Sequence, residues 1–340
     1  MTDPVPFPIF VRQGRSRTRY KVGYIDRQGK VVTDPIFDEG TSFSEGLAAV
    51  ALKGRWGVIN ASGSFAIQPK LWNWCRFKEG LACLATRTGK WGVIDQEGNP
   101  VIQPKYDYVG PFEQGLALFR VGELEKARYG FVDKGGAEVI PGVFQGASGF
   151  SEGLAAVKVG NLWGYINPSG IFAITPRFEG IRRGSRQTQE SGAGYFREGR
   201  APVWSGHGYG FIDTTGDFII EGSFDEAHGF SENRARVKHN TRYGFFDREG
   251  HLSVECKYTL ARDYSESLAR VRQEEPRADF SPPNGFIDLE GNVVVEPMFY
   301  GANSFRNGLC LVETEDSIGY INKLGEFVWR GPYVEYGAVL

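Results

Sequence analysis

The sequence predicts an all-β fold: a tandem array of about nine three-stranded antiparallel repeats in a single domain over residues 1–340. Three observations carry that reading. The octet FSEGLAAV occurs twice, at Phe43–Val50 and Phe150–Val157. A pair ending in glycine, usually aromatic–glycine, recurs at Gly23, Gly57, Gly92, Gly130, Gly164, Gly210, Gly244, Gly285 and Gly319, with spacings of 34 to 46 residues. The composition of 46 Gly, 25 Phe, 15 Tyr and 7 Trp against 2 Met favours turns and strands over long helices. Self-similarity at such a period marks a repeat architecture. The repeats start near residues 22, 56, 91, 129, 163, 209, 243, 284 and 318.

Each repeat explains itself locally. Three residues after the dyad glycine stands Asp or Asn, and three further on a second glycine, as in Asp26 and Gly29 or Asn167 and Gly170. An Asx side chain bonds backbone N–H groups just ahead of it, and glycine takes the left-handed conformation that closes a hairpin. An apolar triplet follows, often with a proline (Pro35, Pro69, Pro104, Pro176, Pro297), then an aromatic or leucine such as Phe37 or Leu71. Six residues later comes a second aromatic, such as Phe43 or Phe150, leading into the EGLAxV segment. Alternation places Ala48 with Val50 on one strand face, and Gly57 with Ile59. These small residues are expected to let a neighbouring strand layer approach. One three-stranded repeat buries too little to stand alone, so stacked repeats must share their cores.

The Trp-Gly dyad, the hydrophobic–Asx step, the turn glycine, the I-x-P-x-aromatic run and F-x-E-G-L-A-x-V together resemble the WG-repeat family, which is mainly bacterial. The resemblance covers about residues 20 to 330. Tyr129, Tyr209 and Tyr243 replace the dyad tryptophan, and Val22, Asn284 and Ile318 leave the outer repeats without an aromatic there. Such substitution near the ends is what capping repeats show. The resemblance implies a β-repeat scaffold of interaction type and hands over no catalytic residues. An open, twisted, solenoid-like stack is favoured, with a closed propeller-like ring as the alternative.

Irregular positions are the better candidates for function. Residues 179–195 form an inserted loop carrying Arg182, Arg183 and Arg186, and residues 272–284 form a second one. The arginine loop reads as a solvated insertion or as a site for an anion or acidic partner. In the stretch LWNWCRF, Trp72, Trp74 and Arg76 occupy positions that are mostly small and polar elsewhere. Trp and Arg dominate binding hot spots; the competing reading is a local mini-core over the preceding repeat.

Reactive chemistry is not legible. Glu45, Glu79, Glu152, Glu198, Glu232 and Glu266 recur, yet Gln114 and Asn307 take the same place, so polarity suffices and a turn role bonding backbone N–H groups is expected. His207, His228, His239 and His251 show no metal-ligand spacing. No metal, cofactor or catalytic residue is expected. The net charge of −2 gives no global field for nucleic acid or membrane. With no signal peptide or apolar span evident and four cysteines without CxxC spacing, the expectation is a cytoplasmic protein with reduced thiols. The function expected is a non-enzymatic scaffold for a protein partner. Glycan binding through the aromatic rows is the alternative, and hydrolysis by paired carboxylates a weaker third.

Overall fold

The structure, a computed structural model, describes residues 6–13, 20–73, 76–123, 126–179, 193–273 and 283–333. Among them it contains strands and turns and no α-helix. The first sheet is β1 (Phe7–Arg12), β2 (Tyr20–Ile25) and β3 (Val31–Phe37), paired in that order. The second is β4 (Glu39–Gly40), β5 (Leu47–Leu52), β6 (Arg55–Asn60) and β7 (Phe65–Leu71), also in chain order. The same pattern continues to Phe327–Pro332, with antiparallel pairing throughout the described strands. The fifth and sixth strand groups join into one seven-stranded sheet, because Glu179 pairs with Trp204.

The three-stranded repeat needs correcting. Most sheets have four strands, the additional one often two residues long, as at Gly146–Ala147 and Gly301–Ala302. Two residues are too few to show alternation. The sheets are also out of phase with the sequence repeat: the stretch beginning at Trp56 supplies β6 and β7, then the first strands of the next sheet. That covalent repeat therefore straddles two sheets, whereas the one beginning at Trp163 stays within the seven-stranded sheet.

Local chemistry sets the turns. Asp26 Oδ1 accepts from the N–H groups of Gln28 and Lys30, both at 2.9 Å, and Asn167 repeats this with Ser169 and Ile171. The dyad glycine has a different cause. A Cβ on Gly57 would lie 2.7 Å from the Ile67 carbonyl oxygen and 2.9 Å from Pro69 N; on Gly164 it would lie 2.5 Å from the Ile174 oxygen and 2.7 Å from Pro176 N. The approaching layer is thus the next strand of the same sheet, which shifts register there, between Trp56 and Val58 or Trp163 and Tyr165. Both strand faces are covered: Trp56, Val58 and Ile59 are all buried.

The EG turn is a two-residue hairpin, with Glu45 at φ 51° and Gly46 at φ 75° between the paired residues Ser44 and Leu47. A glutamate in this left-handed conformation costs roughly 1–2 kcal/mol. Its carboxylate offsets the cost by accepting from Glu79 N at 2.6 Å and Gly80 N at 2.8 Å, in the next repeat. Glu152 holds Glu198 N and Gly199 N in the same way, and Glu232 holds Glu266 N and Ser267 N. Gln114 accepts from Gly153 N. The expected turn role holds, with its partners one repeat further along. Serines run in parallel: Ser44, Ser151 and Ser231 donate to the carbonyls of Phe77, Phe196 and Tyr264. Aromatic pairs complete the joints, among them Tyr24–Phe43 at 5.2 Å and Tyr165–Phe196 at 4.8 Å between centroids. Phe196 is fully buried, so the register resumes after the insertion as expected.

The chain forms two compact bodies: Met1–Lys105 with Pro276–Phe286 and Val293–Leu340, and Tyr106–Glu275 with Ile287–Asn292. In the first body the terminal sheets share one core, in which Phe7, Ile9, Val22 and Tyr24 pack with Leu309, Leu311, Ile318 and Tyr320. The capping reading of Val22 and Ile318 is corrected: both are completely buried in that shared core. Asn284, also buried, donates from Nδ2 to the carbonyls of Phe299 and Tyr300.

Candidate functional site

Trp72 breaks a column. In several sheets the residue after the first aromatic restrains the turn between the second and third strands of its sheet. Asp38 Oδ2 accepts from Lys53 N at 2.7 Å, Asp107 Oδ2 from Gly122 N at 2.8 Å, and Gln145 Oε1 from Gly160 N at 3.3 Å. In the third sheet this place is held by Trp72. The turn there restrains itself, since Thr86 Oγ1 donates to the Lys90 carbonyl at 3.0 Å. Trp72 stays 45% exposed, with the Arg55 guanidinium carbon 3.2 Å from its ring centroid and that of Arg87 4.2 Å away. Each such cation–π contact contributes about 0.5–1 kcal/mol at an exposed site. Trp72 itself is not enclosed in a core.

The residues expected at the site are only partly brought together. Arg76 lies on the surface, and burial of its head together with the charge of Arg306 holds its guanidinium below the usual range. Trp74, Arg182, Arg183 and Arg186 lie outside the described residues. Arg55 and Arg87, which flank Trp72, went unnoticed in the sequence. Their signal was positional, each standing in or beside a turn of the kind that the Trp72 column restrains in several sheets.

A second concavity, a cleft of about 440 Å³, lies in the second body beside the start of the arginine insertion. Arg177, Glu179, Trp204, Asp217 and Phe218 help to line it. Arg177 donates to the Gly216 carbonyl and stands 3.9 Å from Asp217, fixing one wall.

The sheet from Glu226 to Tyr258 carries a polar cluster. Glu226 receives Lys238 Nζ at 3.0 Å and the Tyr243 hydroxyl at 2.9 Å, with His228 Nε2 at 3.7 Å. His228, Lys238 and Tyr243 together pull the Glu226 carboxyl down to about 2 against the cost of its burial. Burial, with the Glu226 charge, pushes Tyr209 up to about 12. Among the described residues no three His, Cys, Asp or Glu side chains converge on a metal-sized site. No helix among them is long and apolar enough to cross a membrane. Cys83, Cys256 and Cys310 are thiols.

No curated protein matches the sequence. Among solved structures, a eukaryotic initiation factor is similar over 98% of this chain and 97% of its own, with a TM-score of 0.63 and 13% identity. That likeness concerns the fold alone. BamB from Moraxella catarrhalis is similar over 84% of this chain and 92% of its own, with a TM-score of 0.46 and 10% identity. The family described as WG containing repeat matches residues 23–56, 56–84, 91–124, 129–163, 163–183, 209–240, 243–275 and 285–316. Those segments span most of the sequence and carry the dyads and turns whose geometry repeats above, and the chain belongs to the WG containing repeat family.

Proposed function

We propose that this protein is a non-enzymatic repeat scaffold that binds a protein partner at the surface around Trp72. One observation supports it above others: a half-exposed indole with the guanidiniums of Arg55 and Arg87 over its ring, where several sibling repeats place a turn-restraining Asp or Gln. An aromatic anchor flanked by guanidiniums combines the residue types that dominate interface energetics. Two stacked cations on that anchor favour a partner surface bearing carboxylates. The recurrent acids support the non-enzymatic part, because Glu45, Glu152 and Glu232 each spend both carboxylate oxygens on backbone N–H groups. A carboxylate so engaged is poorly placed for proton transfer.

The test is cross-linking and capture with the full chain, comparing wild type with Trp72→Ala and with Arg87→Gln. The reading expects the same captured protein to be lost in the first variant and weakened in the second, at unchanged melting temperature. Undiminished capture by Trp72→Ala would remove this surface from consideration.

A further inference from the structure

Two arginine side chains meet in the second body, and among the described residues no carboxylate is bound to either. Arg200 stands where Leu47, Leu116, Leu154 and Leu309 follow the EG turn in other repeats. Its Nη2 donates to the Arg248 carbonyl at 2.8 Å and its Nη1 to the Glu198 carbonyl at 3.4 Å. Arg248 Nη2 donates to that same Glu198 carbonyl at 3.1 Å. The Nε atoms of both arginines are buried with no acceptor. The nearby Glu198 carboxylate is turned to Asn233 N at 3.0 Å. In the next repeat Arg234 also replaces the leucine, and it too donates to carbonyls, those of Leu289 and Asn233.

The fold does not require this arrangement. Leucine serves at the Arg200 position in most siblings, and Ala61 and Thr214 stand in other repeats where Arg248 does. Carbonyl oxygens satisfy individual N–H groups without neutralising the charge, and two guanidiniums sharing one acceptor repel each other. A planar guanidinium presents donors matched to a carboxylate or phosphate group. We propose that Arg200 and Arg248 form an oxyanion site that takes a carboxylate or phosphate group in the gap between their guanidiniums. It involves a different body and different residues from the Trp72 surface, so either proposal can fail without the other.

The experiment titrates the full chain with a hexaglutamate peptide and, separately, with inorganic pyrophosphate, by calorimetry at low salt. Wild type, Arg200→Leu and Arg248→Ala are compared. Arg200→Leu installs the sibling residue and keeps the fold; circular dichroism checks this, and Arg248→Ala serves as the second variant. The site predicts that at least one probe binds and that each variant weakens it by about tenfold or more. Binding of the peptide alone identifies a carboxylate-bearing ligand, and of pyrophosphate alone a phosphate-bearing one. Failure of both probes to bind wild type, or equal binding by both variants, overturns the proposal.

Discussion

The hydroxyl of Tyr320 donates to the carbonyl of Pro8 at 2.9 Å, tying the last sheet to the first across 312 positions of sequence. Ile9 faces Gly23 as Val50 faces Gly57, so Pro8 corresponds to Ala49 of the second sheet. Ala49 bonds the short inner strand through both its groups: its carbonyl accepts from Thr41 N, and its N–H donates to Thr41 Oγ1. Among the described residues the first sheet has no such strand. Proline lacks the N–H that would need a partner, and Tyr320 supplies the carbonyl with its donor. The turns show the same continuity. A Cβ on Gly63 would meet Thr33 of the preceding sheet, and one on Gly29 would meet the carbonyl of Val328, from the last.

Replacing Tyr320 with Phe keeps the ring against Phe7, 5.3 Å away between centroids, and leaves the Pro8 carbonyl buried without its donor. The expected loss is about 1–3 kcal/mol, read from urea unfolding of the two proteins. A change smaller than the error of the midpoint would mean that water replaces the phenol there.

Two glycine substitutions should differ sharply. Gly57→Ala drives a methyl group into the backbone of the neighbouring strand, so a loss of about 3 kcal/mol or more is expected. At Gly46 nothing lies within 4 Å of a new Cβ, and only its φ of 75° opposes alanine. That costs about 1 kcal/mol. Thermal melts of both variants check the ranking, and equal losses would contradict the steric account.

Glu152 tests the link between repeats. Glu152→Ala frees two backbone N–H groups of the Glu198–Gly199 turn, and about 2 kcal/mol should go with them. Glu152→Gln should lose about half as much, because Gln114 already performs this role toward Gly153. Hydrogen exchange at Glu198 and Gly199 reads the effect at its source.

Glu226 gives the pH dependence a sign. Its carboxyl titrates at about 2 in the folded chain against an ordinary value of 4.5, so its contribution is complete above about pH 4.5 and disappears as pH falls toward 2. The side chain is 31% exposed, and solvent screening reduces the contribution to about 1–2 kcal/mol. Glu226→Gln should therefore be less stable at pH 7 and flatter between pH 5 and 2. Unfolding midpoints across that range measure both effects.

What could be read from sequence was local chemistry. The Asx turns were legible because each side chain bonds N–H groups two and four residues on, inside any short window. The dyad glycine was legible as a close approach. The strand it admits was not, because alternation assigns faces and says nothing of a register shift. The tolerance of Gln114 and Asn307 revealed that the acid column needs polarity, yet the partners of Glu45 sit 34 and 35 residues away, beyond any local pattern. Trp72 stood out as the wrong residue type for its column. Arg55 and Arg87 did not, since sequence carries no sign that strands bring them onto its ring.

The central claim is that neighbouring sheets within a body share their cores, and that in the first body the last sheet does so with the first. Hydrogen exchange on Ile318→Ala tests it most directly, since Ile318 is fully buried among residues of both terminal sheets. The account predicts faster exchange at Ile9, Val22 and Tyr24 in the first sheet as well as around the mutation. Unchanged protection at those three amides, with loosening confined to the last sheet, would contradict it.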